Sequence, residues 1–257
     1  MRPALMYFPA THAEFEFPVA AVPADVPRDV RLQIVSSCAE PPAGDGWLHE
    51  IKHDGHRLVA IVAGDLLKLI SRNGHDRTAL FREPFRPLAE VGFPPMVLDG
   101  EIAVPDERGV THIDALNEAI SARRPDQLAY FAFDLPHLDG HDLRRCPIED
   151  CKSILRDVIG AARCPRIVCV DYLLGIGREL FEAVRQVGAE GIVSKRRAAS
   201  TAPREPGLAE DEMLRDRFVR DNRVQRAWRG QAGGDLRRRG ARRATMPRWA
   251  GALRLRR

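Results

Sequence analysis

Lysine is scarce in this 257-residue sequence: Lys52, Lys68, Lys152 and Lys195 are the only four, against 36 arginines. Where arginine is so strongly preferred, a surviving lysine marks a position that arginine cannot fill. A guanidinium stays protonated, whereas an amine can lose its proton and act as a nucleophile. Cysteine is sparse too, with five residues in two C-x4-C pairs and one single. An odd count argues against a disulfide framework, and no histidine pair completes a zinc set, so reduced structural thiols are expected. No apolar run approaches the roughly 18 residues of a membrane span. The start, MRPALMYFPATHAEFEF, lacks the charged and apolar regions of a signal peptide. The expectation is a cytoplasmic protein with no membrane partner.

What is present is unevenly distributed. Apolar residues make up 44 % of the chain, enough for a core. The first 195 residues carry 22 basic and 29 acidic side chains, whereas the last 62 carry 18 arginines, no lysine and seven acids. Such a basic tail belongs either to a nucleic-acid-binding arm or to a segment never selected as protein. Residues 1–45 are rich in Pro and Ala and are expected to be a lead-in with little structure of its own.

From Trp47 onward short strands are expected. WLHEIK, HRLVAIVAG and LLKLISR suggest an antiparallel meander. RTALFREPFRPLAEV has helical spacing that Pro84 and Pro87 should split in two. MVLDGEIAVPD, LAYFAFDLPHLDG and ARCPRIVCVDYL suggest further strands, the first interrupted at Asp99-Gly100. IEDCKSILRDVIGAA and GRELFEAVRQVGAE suggest amphipathic helices, the second ending near Gly188. GIVSKR suggests a last strand, and beyond Arg197 the periodicity stops. The expected fold class is α+β.

The octapeptide Glu50-Ile51-Lys52-His53-Asp54-Gly55-His56-Arg57 gathers mixed charge around a tight turn. A lysine nucleophile must be partly neutral, through desolvation or neighbouring cations. Arg57 suits both an electrostatic neighbour and a phosphate clamp. The plainer reading is an exposed hairpin whose Asp-Gly merely turns. His53, His56 and His75 lack metal-ligand spacing and are expected to be polar fillers.

EIKHDGHR resembles the Lys-x-Asp-Gly adenylation motif of covalent nucleotidyltransferases, which include DNA ligases, RNA ligases and capping enzymes. Four further segments follow in that superfamily's order: Ser71-Arg72-Asn73-Gly74, Leu98-Asp99-Gly100-Glu101, Phe131-Ala132-Phe133-Asp134 and Glu190-Gly191-Ile192-Val193-Ser194-Lys195. GWLHEIKHDGHR and FDLPHLDGHDLR are most similar to the ligase domain of bacterial multidomain end-joining DNA ligases. The resemblance implies an adenylation domain of antiparallel sheets flanked by helices over residues 46–197. It implies Lys52 as the nucleophile, with Glu50, Arg57, Arg72, Glu101, Phe133 and Lys195 binding ATP. Glu101 and Glu190 would hold Mg²⁺ or Mn²⁺. Phe131 and Phe133 are expected to divide between core and cleft, with Phe133 stacking on adenine. The implied partners are nicked or broken double-stranded DNA and end-joining repair proteins.

The resemblance stops after the fourth motif. The Trp-Leu-Lys-x-Lys strand and oligonucleotide-binding barrel expected next have no counterpart in residues 198–257. Plausible codons from Leu208 onward, read one base later, can encode WLKTKCYVTDSFVITGF. A frameshift between Lys195 and Pro203 is therefore expected, leaving an out-of-frame, disordered tail; the gene's codons decide this. The competing readings are an RNA ligase or capping-type nucleotidyltransferase, and a non-catalytic nucleotide- or DNA-binding relic.

Overall fold

The computed structural model describes residues 15–197, apart from 28, 29, 31, 34, 91 and 163, together with strand 217–220. In chain order the elements begin with β1 (Val22–Pro23), β2 (Ser36–Cys38), β3 (Trp47–Lys52), β4 (His56–Ala63) and β5 (Leu66–Ser71). Then come α1 (Thr78–Phe85), α2 (Pro87–Glu90), β6 (Met96–Ala103), α3 (Ile113–Ser121), a 3-10 turn, β7 (Ala129–Leu138) and β8 (His141–Asp142). The series ends with α4 (Ile148–Ala162), β9 (Ile167–Cys169), β10 (Tyr172–Leu174), α5 (Gly177–Val187), β11 (Gly191–Arg196) and β12 (Arg217–Arg220). The α+β expectation is met.

Two sheets form. The larger runs β1-β8-β7-β6-β4-β5 with β9 beside β7, and the smaller runs β10-β3-β11-β12-β2. Pairing is antiparallel except at β7–β9 and β12–β2. In β4, Leu58, Ala60 and Val62 enter the main core with Phe81, Phe85 and Tyr130. Val59 and Ile61 of the same strand pack with Val97 on the opposite face. Partly buried Val26, Val30 and Leu32 cover that second face. These described lead-in residues thus pack on the sheet, because a strand apolar on both faces needs cover on both.

Several expectations are corrected. WLHEIK, HRLVAIVAG and LLKLISR are strands, but not one meander: β3 pairs with β10 and β11, while β4 pairs with β5 and β6. The Lys52–Gly55 turn carries the chain from one sheet to the other, and its hydrogen bonds go elsewhere. Asp54 N–H donates to Thr111 Oγ1 at 2.8 Å, and Ile113 N–H donates to Asp54 Oδ2 at 3.1 Å. Pro84 lies inside α1, so the helical stretch breaks before Pro87 only. ARCPRIVCVDYL splits into β9 and β10, one in each sheet.

The Asp99-Gly100 interruption is a register shift of β6 against β7. Glycine is required there, because a Cβ on Gly100 would lie 2.6 Å from the Tyr130 ring. Helix α5 ends at Gly188, with φ +80° in the left-handed region that favours glycine. The tail beyond Arg197 lies outside the described residues, except that Arg217–Arg220 form a strand between β11 and β2. A four-residue strand is too short to show a repeat in sequence, and its pairing to β11 is what defines it.

At Gly55 a Cβ would lie 2.1 Å from the Ile102 carbonyl oxygen. Gly55→Ala is therefore expected to destabilise the fold by about 3 kcal/mol, since backbone cannot swing aside as a side chain can. Thermal unfolding checks this. An unchanged Tm would mean that the crossover moves freely.

Candidate active site

The site is a cleft of ≈ 640 Å³ with walls from both sheets. Strand alternation sets one wall: Glu50 and Lys52 share a face of β3, opposite Val193 and Gly191 of β11. His49 and Ile51 take the other face. There the His49 ring fits under Gly177, and Ile51 packs with the Leu180–Val184 cluster of α5. The second wall comes from β4, β6 and β7, with Arg57 opposite Glu101 and Glu101 opposite Phe131.

Lys52 forms an ion pair with Glu190, the residue just before β11. Glu50 is buried and lies between two ammonium groups, Lys152 at 2.6 Å and Lys195 at 3.0 Å. Arg57 grips Asp99 with two bonds, Nε–Oδ1 at 3.1 Å and Nη2–Oδ2 at 2.7 Å. Its Nη1 donates to the Gln33 carbonyl at 2.7 Å. Phe133 borders the cleft, with the Arg57 guanidinium 5.3 Å and the Lys195 ammonium 5.0 Å from its ring centre. Arg72 stands exposed at the mouth, on a turn closed by Gly74 N–H to Ser71 O at 2.8 Å.

The structure brings Glu50, Lys52, Arg57, Arg72, Glu101, Phe133 and Lys195 onto one cleft; Glu190 meets it through Lys52. Phe131 and Phe133 do not take opposite faces, because residues two apart on a strand share a face. Both belong to one apolar cluster, with Phe131 buried under His53 and Phe133 reaching the cleft. Sequence reasoning missed Asp99 and Asp134, which line the cleft, and Lys152, which lies behind it against Glu50. The rarity of lysine was the only signal for Lys152, while Asp99 looked like a turn former.

Electrostatics follow burial. Desolvation raises the Glu101 carboxyl to about 8, against the pull of Lys52 and Arg57, with Asp99 and Glu190 adding to the rise. Asp134 is likewise raised by burial, against Lys195. His53 stacks on Phe131 at 3.8 Å, and its Nδ1 is buried without a hydrogen-bond partner. Burial first, then Lys52 and Lys152, hold its imidazole down at about 3 from an ordinary 6.5. The unfolded chain therefore binds a proton below pH 6.5 that the folded chain refuses until about pH 3. Stability is lost as pH falls through that window. His53→Phe, which keeps a ring on Phe131, is expected to flatten the decline, as measured by urea unfolding at pH 7 and pH 5. Parallel declines would mean that His53 is not the group responsible.

Among the described residues no cluster of three or more His, Cys, Asp or Glu could hold a metal unaided. No helix among them is long and apolar enough to cross a membrane.

Two sheets meeting at such a cleft form the architecture of a nucleotidyltransferase domain. A family model described as the ATP dependent DNA ligase domain matches residues 31–213, and the chain belongs to that family. The sequence is 31% identical over 171 residues to the multifunctional non-homologous end joining protein LigD of Pseudomonas aeruginosa, covering 66% of this chain and 20% of that protein. It is 29% identical over 185 residues to the bifunctional LigD of Bacillus subtilis, covering 62% of this chain and 30% of that protein. The ligase domain of Mycobacterium tuberculosis LigD superposes with a TM-score of 0.58 at 27% identity, over 74% of this chain and 58% of that one. A mycobacterial DNA ligase D complexed with ATP and MES gives 0.57 at the same identity and coverage. The chain thus spans only 20% to 30% of the length of these LigD relatives.

Proposed function

We propose that this chain takes AMP from ATP onto Lys52, as the first step in joining nicked or broken double-stranded DNA. The observation that carries the reading is the placement of Lys52, beside the Glu190 carboxylate on a cleft that also holds an aromatic ring and five cationic side chains, Arg57, Arg72 and Lys195 among them. In this reading adenine stacks on Phe133, and Arg57, Arg72 and Lys195 face the phosphates. Glu50 belongs to the same wall.

Lys52 gives up its proton to water, and Glu190, its ion-pair partner, stays a carboxylate. The freed amine attacks the α-phosphorus, a P–N bond forms, and the P–O bond to the β-phosphate breaks as pyrophosphate departs. Glu101 and Glu190 fit a hard divalent cation. Both offer carboxylate oxygen, and a cation there would offset the burial that, with smaller contributions from Asp99 and Glu190, raises the Glu101 carboxyl. Mg²⁺ or Mn²⁺ held by these residues would offset charge on the phosphates. AMP then passes to a DNA 5′-phosphate and is displaced by a 3′-hydroxyl. End-joining repair proteins are the proposed partners, in the cytoplasm.

Intact-mass analysis after incubation with ATP and Mg²⁺ or Mn²⁺ tests the reading. A gain of one AMP is expected, and GTP should give none. Folded protein that gains no adduct with either metal would sink it.

A further inference from the structure

Behind the cleft wall two buried ammonium groups meet two buried carboxylates. Lys152 is 1% exposed, Glu50 3%, Lys195 6% and Asp134 8%. Lys152 is on α4, which packs against β7 and β9 of the larger sheet. Glu50 and Lys195 are on β3 and β11 of the smaller one. Lys152 therefore reaches from one layer to the other. Its Nζ donates to the Val170 carbonyl at 2.9 Å and lies 2.6 Å from Glu50 Oε1. The other oxygen, Oε2, is 3.0 Å from Lys195 Nζ. Lys195 in turn donates to the Phe133 carbonyl at 3.4 Å and lies 5.0 Å from its ring centre.

Lys152 supplies the second buried cation of this cluster. Lys152 and Lys195 offset Glu50 and Asp134, while Arg57 is matched by Asp99 and Lys52 by Glu190. Without Lys152, two buried carboxylates would compete for Lys195. An ammonium claimed by both is drawn away from the Phe133 ring and from an incoming polyanion, and burial strengthens that pull.

We propose that Lys152 is a positioning residue: by neutralising Glu50 from behind, it leaves Lys195 at the Phe133 face of the cleft, available to ATP phosphate. Lys152 borders no part of the cleft and acts through Glu50 and Lys195. The proposal rests on the ATP reading above for its ligand, though not for the ion-pair coupling itself.

The test is single-turnover adenylation against ATP concentration for wild type and Lys152→Met, with thermal unfolding of these and of Lys152→Met/Glu50→Gln in the absence of ATP. Lys152→Met should raise the half-saturating ATP concentration about tenfold, with the limiting rate per labelled molecule little changed. The double variant is read in the melts, because Glu50 itself lines the cleft. A lysine that merely holds the fold together would lower Tm and the labelled fraction without moving the half-saturating concentration, and that result would overturn the proposal. In the melts, Lys152→Met should lower Tm and adding Glu50→Gln should restore much of it. Additive losses would show that the two residues do not act as a unit, and the proposal would fall. If wild type takes no AMP, the ATP reading fails, while the melts still decide the coupling.

Discussion

Replacing Lys52 with arginine is expected to abolish covalent AMP transfer while leaving the fold intact. Arginine keeps the positive charge, so the ion pair with Glu190 can persist and the Glu101 carboxyl keeps its cationic neighbour. A guanidinium, however, stays protonated throughout the accessible pH range and offers no lone pair to phosphorus. Loss of the nucleophile should lower the rate by on the order of 10⁴-fold or more, below detection by intact mass. The composition makes this experiment unusually clean, because only four lysines exist. Lys152 and Lys195 are buried in ion pairs, and Lys68 is exposed on β5. Labelling of Lys52→Arg would therefore leave three sites to map. The adduct should be acid-labile, as a P–N bond is; an acid-stable adduct would also count against an amine nucleophile.

Much of this fold was legible because its strongest signals are local. Helices α4 and α5 carry apolar residues at helical spacing, and Gly188 ends the second where only a left-handed residue fits. The strands β4, β6, β7 and β11 stood out as apolar runs bounded by turn residues. What escaped was the partner of each strand. Lys52 to Gly55 looks like a hairpin turn, yet the Asp54 hydrogen bonds are made to residues more than fifty positions away. Helix α3 went unread although Ile113, Leu116 and Ile120 repeat at helical spacing, because it is short and sits between loops. At the site, the motif order brought Glu50, Lys52, Arg57, Glu101, Phe133 and Lys195 to one cleft. No motif pointed to Lys152. Its partner Glu50 is about a hundred residues earlier, and a lysine inside an amphipathic helix reads as solvated until the packing is known. Asp99 was hidden in the same way, since Asp-Gly is a turn signal first and a salt-bridge partner only in three dimensions.

Arg57→Ala is expected to cost about 3 kcal/mol of stability, at the lower end for breaking a buried ion pair because Arg57 is itself partly exposed. The cost arises at Asp99, which is only 4% exposed and would lose both of its guanidinium bonds. The Gln33 carbonyl would lose its donor too, loosening the N-terminal layer that covers β4. If Arg57 also faces ATP phosphate, as proposed, the loss of a charge-assisted bond worth about 1.5–3 kcal/mol should weaken ATP binding roughly 10- to 100-fold. The two effects separate in Arg57→Met/Asp99→Leu, where an apolar pair replaces the ionic one. Stability should largely return, since removing both partners leaves no unpaired charge. ATP affinity should not return, because no cation replaces the guanidinium. Urea unfolding reads the first quantity and the half-saturating ATP concentration for adenylation reads the second. Arg57→Lys should fall between the two, keeping the charge but not the fork that holds both Asp99 oxygens. Recovery of ATP affinity along with stability in the double variant would assign Arg57 to structure alone, and the phosphate contacts of the proposed site would then rest on Arg72 and Lys195.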